Sequence, residues 1–256
     1  MMNPVNKLFL SLCFLFALGC GENSSGNAQP EAASPQSTPA ATQETAVETP
    51  AANSNSTGMT DLAPVSYVEG THFERLPTPV STADKSKIEV TEVFWYGCSH
   101  CYDFEPQISA WSADLPGDVI VVKSPAMWDN QGIMENHARI YYTAKVLGVE
   151  EKISLAAFRA LNIDRNPLRS EAEIAALFTD NGVAKEDFER TFNSFGVTSS
   201  VRQAEARQRS YRVQGTPEVI VDGTFRITGR MAGSHEAMLK VADYLTAKIR
   251  TEKAAQ

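Results

Sequence analysis

Residues 88–96, IEVTEVFWY, constrain the fold more than any other stretch of this chain. The run is rich in β-branched and aromatic side chains and is bounded by Lys87 and Gly97, so it reads as a central strand. Glu92 interrupts it, and a lone carboxylate in such a strand is costly without a partner. Directly after Gly97 comes Cys98-Ser99-His100-Cys101, opening a helical pattern over 102–115 that Pro116-Gly117 ends. A thiol pair therefore sits at a strand-to-helix junction, where the free N–H groups of the helix start favour a thiolate.

The rest of the pattern gives an α/β plan with a large all-helical insertion. A short edge strand is expected within 67–80, and a second central strand at 119–123, where four consecutive residues are β-branched. Helices are expected at 133–147, 153–161, 171–181, 185–195 and 198–213. Strands at 218–222 and 225–228 flank Asp222-Gly223, a tight-turn dipeptide, and a closing helix at 234–250 takes Ser234 as its N-cap. The basic cluster Arg202, Arg207, Arg209 and Arg212 is interleaved with Glu205 and reads as one solvated helix face. A formal charge of −8 argues against a nucleic-acid partner.

The N-terminus reads as a targeting segment. Lys7 precedes an apolar stretch, 8–18, too short to span a bilayer. Ala17-Leu18-Gly19-Cys20 resembles the lipobox of bacterial lipoproteins, which implies a signal peptide over 1–19 and lipid on Cys20. An ordinary signal peptide with an incidental cysteine is the alternative. Residues 21–60 contain no aromatic residue, no Lys and no Arg, and cannot offset chain entropy by burial. Residues 20–64 are thus expected to form a disordered tether, with an r.m.s. reach on the order of 35 Å. The folded domain is placed at 65–252, with its helical insertion at about 130–212. Of four cysteines, Cys13 leaves with the signal segment and Cys20 carries lipid, so Cys98 and Cys101 remain.

Only a thiolate attacks a disulfide. Cys98 is nearest the helix start and is the expected nucleophile, while Cys101, one turn on, shares its helix face and is expected to be more buried. His100 can stabilise the Cys98 thiolate as a cation or N–H donor, and Ser99 completes the dipeptide that sets the redox poise. Half of a zinc site, a copper(I) site and a structural disulfide are the other readings of such a pair. Zinc wants about four ligands, and His72, His137 and His235 are scattered without ligand spacing.

FWYGCSHCYDFEP, QGTPEVIVDGTFRITG and the opening YVEGTHFERLPTPV together resemble the DsbA family of thioredoxin-fold thiol oxidases, over nearly all of 67–250. The resemblance implies a thioredoxin fold and a cis peptide at Thr216-Pro217 beside the cysteines, where Thr216 pairs with a substrate strand. It implies that Glu92, Glu105 and Lys123 are charged positions beneath the active site that tune proton movement at Cys101. It also implies no cofactor or metal beyond the Cys98–Cys101 disulfide itself. Partners would be reduced exported proteins and a DsbB-like quinone-linked membrane oxidase. Location would be periplasmic, on a lipid anchor more fitting to the outer membrane, and the chain would be a monomer. Two residues depart from the common family pattern: Ser99 stands where many members carry Pro, and Thr216 where many carry Val. A reductase or isomerase of the same fold is the first alternative. A non-redox peptide binder or copper carrier, with Met127, Trp128 and Met231 lining an apolar patch, is the second.

Overall fold

The structure is a computed structural model describing residues 66–128 and 132–255. The expected signal segment, Cys20 and the tether over 20–64 lie outside the described residues. No described helix is long and apolar enough to cross a membrane.

A five-stranded mixed sheet carries the fold. Its strands are β1 (Glu74–Arg75), β2 (Ile88–Phe94), β3 (Val119–Pro125), β4 (Glu218–Val221) and β5 (Phe225–Thr228), in the order β1-β5-β4-β2-β3. β2 runs parallel to β3 and antiparallel to β4, so it is central, and all seven of its residues are buried. Two chemistries hide in that strand. Alternate side chains point to opposite faces, so Ile88, Val90, Glu92 and Phe94 share one face while Thr91 and Val93 share the other. The parallel register sets Glu92 directly beside Lys123.

Helix α1 (Ser99–Ala113) follows β2 and packs with α8 (His235–Ala254) over one face of the sheet. Ile88, Val90, Phe104, Ile108, Val219 and Leu245 are among the buried residues of that core. Between β3 and β4 lie α2 (Ile133–Val146), α3 (Glu150–Asn162), α4 (Glu171–Asp180), α5 (Lys185–Phe192) and α6 (Phe195–Ser210). These five helices occupy the expected insertion. Their apolar sides form a second core with Tyr141, Phe158, Phe178 and Phe188 at its centre, and Phe94, Tyr96 and Cys101 belong to it too. The cysteine motif thus stands where the sheet core meets the helical core.

Local chemistry sets the boundaries. α4 opens on a complete capping box, with Ser170 and Glu173 satisfying each other's backbone N–H. Ser234 caps α8 by accepting from Ala237 N, as expected, without a reciprocal Glu. The expected helix over 185–195 ends instead at Phe192. Ser194 accepts from Val197 N and restarts the chain as α6, because a capped start satisfies N–H groups that a continuous turn would not leave free. α7 (Gly229–Ala232), one turn held by the Thr228 hydroxyl, was not anticipated. The Asp222-Gly223 turn has φ of 50° and 59°, as a tight hairpin requires. A side chain at Gly223 would meet the Val80 carbonyl oxygen at 1.9 Å, so glycine is needed there.

Candidate active site

β2 hands the chain to α1 through Gly97, where a Cβ would lie 2.4 Å from the Trp95 indole. That indole is fixed: its Nε1–H donates to His137 Nδ1 at 2.9 Å, and His137 Nε2 meets the Pro167 carbonyl at 3.0 Å. Cys98 is the N-cap of α1, with extended dihedrals (φ −91°, ψ 116°), so the helix begins three residues earlier than the pattern over 102–115 implied. Its carbonyl accepts the first helical bond from Tyr102 N at 3.1 Å, and its own N–H donates to the Trp95 carbonyl at 3.0 Å. No side-chain hydrogen bond closes the cap. The Cys98 sulfur occupies the place a capping oxygen would take.

Both cysteines are free thiols, and their surroundings differ sharply. Cys98 is half-buried, and its pKa is brought down to about 5. The Cys101 thiol, donating to the Cys98 sulfur, is the main cause; burial opposes it, and the Thr216 side chain and the N–H groups of Cys101 and His100 add to it. Cys101 is fully buried, and desolvation together with the neighbouring Cys98 pushes its thiol far up. One sulfur is therefore an anion at neutral pH and the other holds its proton.

The expected cis peptide at Thr216-Pro217 is present. The Cys98 sulfur lies 3.3 Å from the Thr216 carbonyl oxygen, a contact in which only the protonated thiol could donate, so the loop lies against that sulfur. The His100 backbone N–H reaches the Cys98 sulfur, and its imidazole lies edge-on to His235 with ring centroids 6.0 Å apart. An N1–N3 side chain points outward and back from a helix start, whereas its N–H points along the axis at the cap. Ser99 is exposed, and its hydroxyl makes no hydrogen bond to the sulfur among the described residues.

Beneath the pair lie the three expected charges. Glu92 is fully buried, 3.8 Å from Lys123 Nζ, an ion-pair distance too long for a hydrogen bond. Neither of its oxygens has a hydrogen-bond partner, and burial drives its pKa up to about 8 despite the Lys123 charge. Lys123 bonds Glu105 directly. Burial pulls Lys123 down, but Glu92 and Glu105 outweigh it and hold the ammonium above its ordinary value. Both Glu105 and Lys123 are largely covered.

Two residues of the site escaped the sequence reading. Glu218, next after Pro217, accepts from Gln214 N and Gly215 N, both at 3.1 Å, and so pins the loop that precedes the cis proline. Buried Arg226, across the hairpin, meets Glu218 at 3.3 Å and Glu74 at 2.9 Å. The signal was available: Glu218 opens an apolar strand just as Glu92 interrupts one. Met231 lines the cavity beside Thr216, Pro217, His100 and His235, while Met127 and Trp128 line a different groove, so the three do not make one apolar patch. The basic cluster also divides. Arg207 leans in toward the Tyr142 hydroxyl at 3.5 Å, and Arg202, Arg209 and Arg212 line the groove with Trp128.

A half-buried thiolate at a helix start, a buried partner thiol one turn on and a cis-proline loop against both place this chain among the thioredoxin-fold thiol:disulfide oxidoreductases. The profile of the DSBA-like thioredoxin domain matches residues 125–239, the stretch from the end of β3 into α8. The thiol:disulfide interchange protein DsbA of Azotobacter vinelandii is 38% identical over 195 residues, covering 76% of this chain and 89% of that protein. The DsbA of Pseudomonas aeruginosa is 39% identical over 184 residues, covering 72% and 86%. The crystal structure of Pseudomonas aeruginosa DsbA superposes with a TM-score of 0.70 at 38% identity, covering 73% of this chain and 97% of the other. The chain belongs to the DsbA family.

Proposed function

We propose that the chain donates its Cys98–Cys101 disulfide to newly exported proteins in the periplasm. The observation that carries this reading is the asymmetry of the two sulfurs: Cys98 ionised near pH 5, Cys101 buried and protonated. A client thiolate attacks Cys98 Sγ of the disulfide form. The client–Cys98 bond forms, the Cys98–Cys101 bond breaks, and Cys101 leaves with the electron pair and takes a proton. Glu92, with its pKa near 8 and its charge felt at Cys101, is the group placed to exchange that proton. A second client thiolate then attacks the bridged client sulfur, and Cys98 departs as a stable thiolate. The client loses two electrons and two protons; the pair gains both electrons and, on Cys101, one proton, and the second proton goes to solvent. Because a good leaving group departs fast and a stabilised thiolate favours the reduced state, the geometry supports oxidation over reduction.

In this reading Thr216 and Pro217 present backbone to the extended client, and Glu105 and Lys123 hold Glu92 in place. The head comprises residues 65–252. Lipid on Cys20 fixes the chain to a membrane, by preference the outer one, and 20–64 serve as the leash. The head works as a monomer and is reoxidised by a DsbB-like quinone-linked membrane oxidase. The test is equilibration of the full chain with glutathione, alongside a titration of the Cys98 thiolate by its ultraviolet absorbance. A potential well above the thioredoxin value of about −270 mV is expected, and one close to that value overturns the donor reading in favour of a reductase. Cys98→Ser abolishes dithiol oxidation; activity surviving in that variant removes the redox assignment altogether.

A further inference from the structure

A groove apart from the cavity beside the cysteines exceeds that cavity in volume. It has a volume of about 1030 Å³ and lies along α2 and α6. Four arginines and two glutamates line it, on a chain whose formal charge is −8. Two of the arginines are neutralised within the fold. Arg139 bonds Glu135 at 3.1 Å and the Thr198 hydroxyl at 3.2 Å, and Arg209 pairs with Glu205. Arg202 and Arg212 are exposed, and neither side chain has a hydrogen bond or ion pair among the described residues. The groove therefore keeps two uncompensated guanidiniums on an otherwise acidic protein, which focuses a local positive field. Trp128, an exposed aromatic, stands in its wall.

The groove adjoins the candidate active site. Gln214 lines both it and the cavity that holds Thr216 and Pro217. Only Gly215 separates Gln214 from Thr216, a span of at most about 7 Å of backbone. From Arg202 to the end of α6 at Ser210 the wall runs roughly 12 Å at helical rise, and Arg212 lies two residues beyond. An extended polypeptide covers the helical part with about four residues at about 3.3 Å each.

We propose that this groove is a specificity site for acidic client segments: a client whose cysteine engages Cys98 lays carboxylates, beginning about three residues from that cysteine, against Arg202 and Arg212. The inference rests on the donor reading above and names the class of client it favours. Exposed ion pairs of this kind are individually weak and screened by salt, so the site biases selection among clients and leaves the chemistry untouched.

The experiment uses the oxidised full chain and reduced two-cysteine peptides carrying five glutamates, or five glutamines, starting three residues from the reacting cysteine on either its N- or C-terminal side. For one placement, kcat/KM is expected to be about three- to tenfold higher with glutamate than with glutamine at low salt, and the gap closes at high salt. In Arg202→Gln/Arg212→Asn, where Asn tolerates the positive φ of residue 212, the glutamate advantage disappears while the glutamine peptide keeps its rate. Equal rates for both peptides in both placements overturn the inference and leave the donor reading intact. An advantage that persists in the double variant, or concentration-dependent self-association that the double variant abolishes, also overturns it, the latter by making a second copy the occupant. Failure to oxidise either peptide overturns the donor reading and the inference with it.

Discussion

Glu92 lies fully buried on β2 with both carboxylate oxygens unbonded and its nearest cation 3.8 Å away. Desolvation of an anion costs more than that one ion pair returns, so the carboxyl keeps its proton up to about pH 8. The sign follows directly. The folded pKa is above the unfolded value, so the folded chain binds the extra proton between about pH 4.5 and 8, and stability from this group declines as pH rises through that window. Relative to the parent, Glu92→Gln is expected to gain on the order of 4 kcal/mol of stability between pH 4 and pH 9, because glutamine has no charge to desolvate. Urea denaturation at the two pH values checks this; a difference between variant and parent that is the same at both contradicts it. In the proposed mechanism the same side chain exchanges a proton with Cys101, so the variant should also turn over more slowly at the step in which Cys101 is protonated.

At the scale of elements, the loop from Gln214 to Pro217 is held by something outside itself. Glu218, the first residue of β4, takes two of its backbone N–H groups, and Arg226 on β5 holds Glu218. Burial raises the Glu218 pKa while Arg226 and the two amides resist that rise. Glu218→Ala leaves two N–H donors without their acceptor and Arg226 without one of its two carboxylates. A loss of about 3 kcal/mol is expected, since breaking a buried pair strands the remaining charge. The substrate loop should loosen with it, so KM for a dithiol peptide rises more than kcat falls. Steady-state kinetics and thermal melts of Glu218→Ala and Glu218→Gln separate the two effects, and an unchanged KM in a destabilised Ala variant shows the loop holds without its anchor.

Across the whole molecule, redox state and stability are linked through Cys98. Only the dithiol form carries an ionisable Cys98, at about 5 in the fold against about 8.5 in an unfolded chain. A depressed acid pKa contributes stability that is fully present above the unfolded value and is lost as pH falls through the folded one. The disulfide form has no such group, while Glu92 is common to both. The stability of the reduced form relative to the oxidised form should therefore be greatest near pH 8–9 and shrink steadily toward pH 4–5. Melting temperatures of both forms across that range measure it; a gap independent of pH rules out a fold-stabilised Cys98 thiolate. This difference is the same free energy that drives electrons from a client into the pair.

Much of this was legible in the chain itself. A strand announces itself by a run of β-branched residues, a turn by Asp-Gly and a cap by serine, because each depends on neighbours within a few residues. The junction of β2 and α1 could be read the same way, and with it the place of Cys98 at the helix start. The edge-on contact of the His100 ring with His235 was not legible, since it joins residues 135 positions apart. Nor was the role of Glu218, or the division of the arginine cluster into an inward Arg207 and a groove wall. Those depend on which distant elements come to lie side by side, and so does the pairing of Glu92 with Lys123 in register. Local residue chemistry determined where the thiolate would form; only the packing of sheet against helices decided which charges, loops and surfaces surround it, because burial and long-range pairing exist only once the chain has closed on itself.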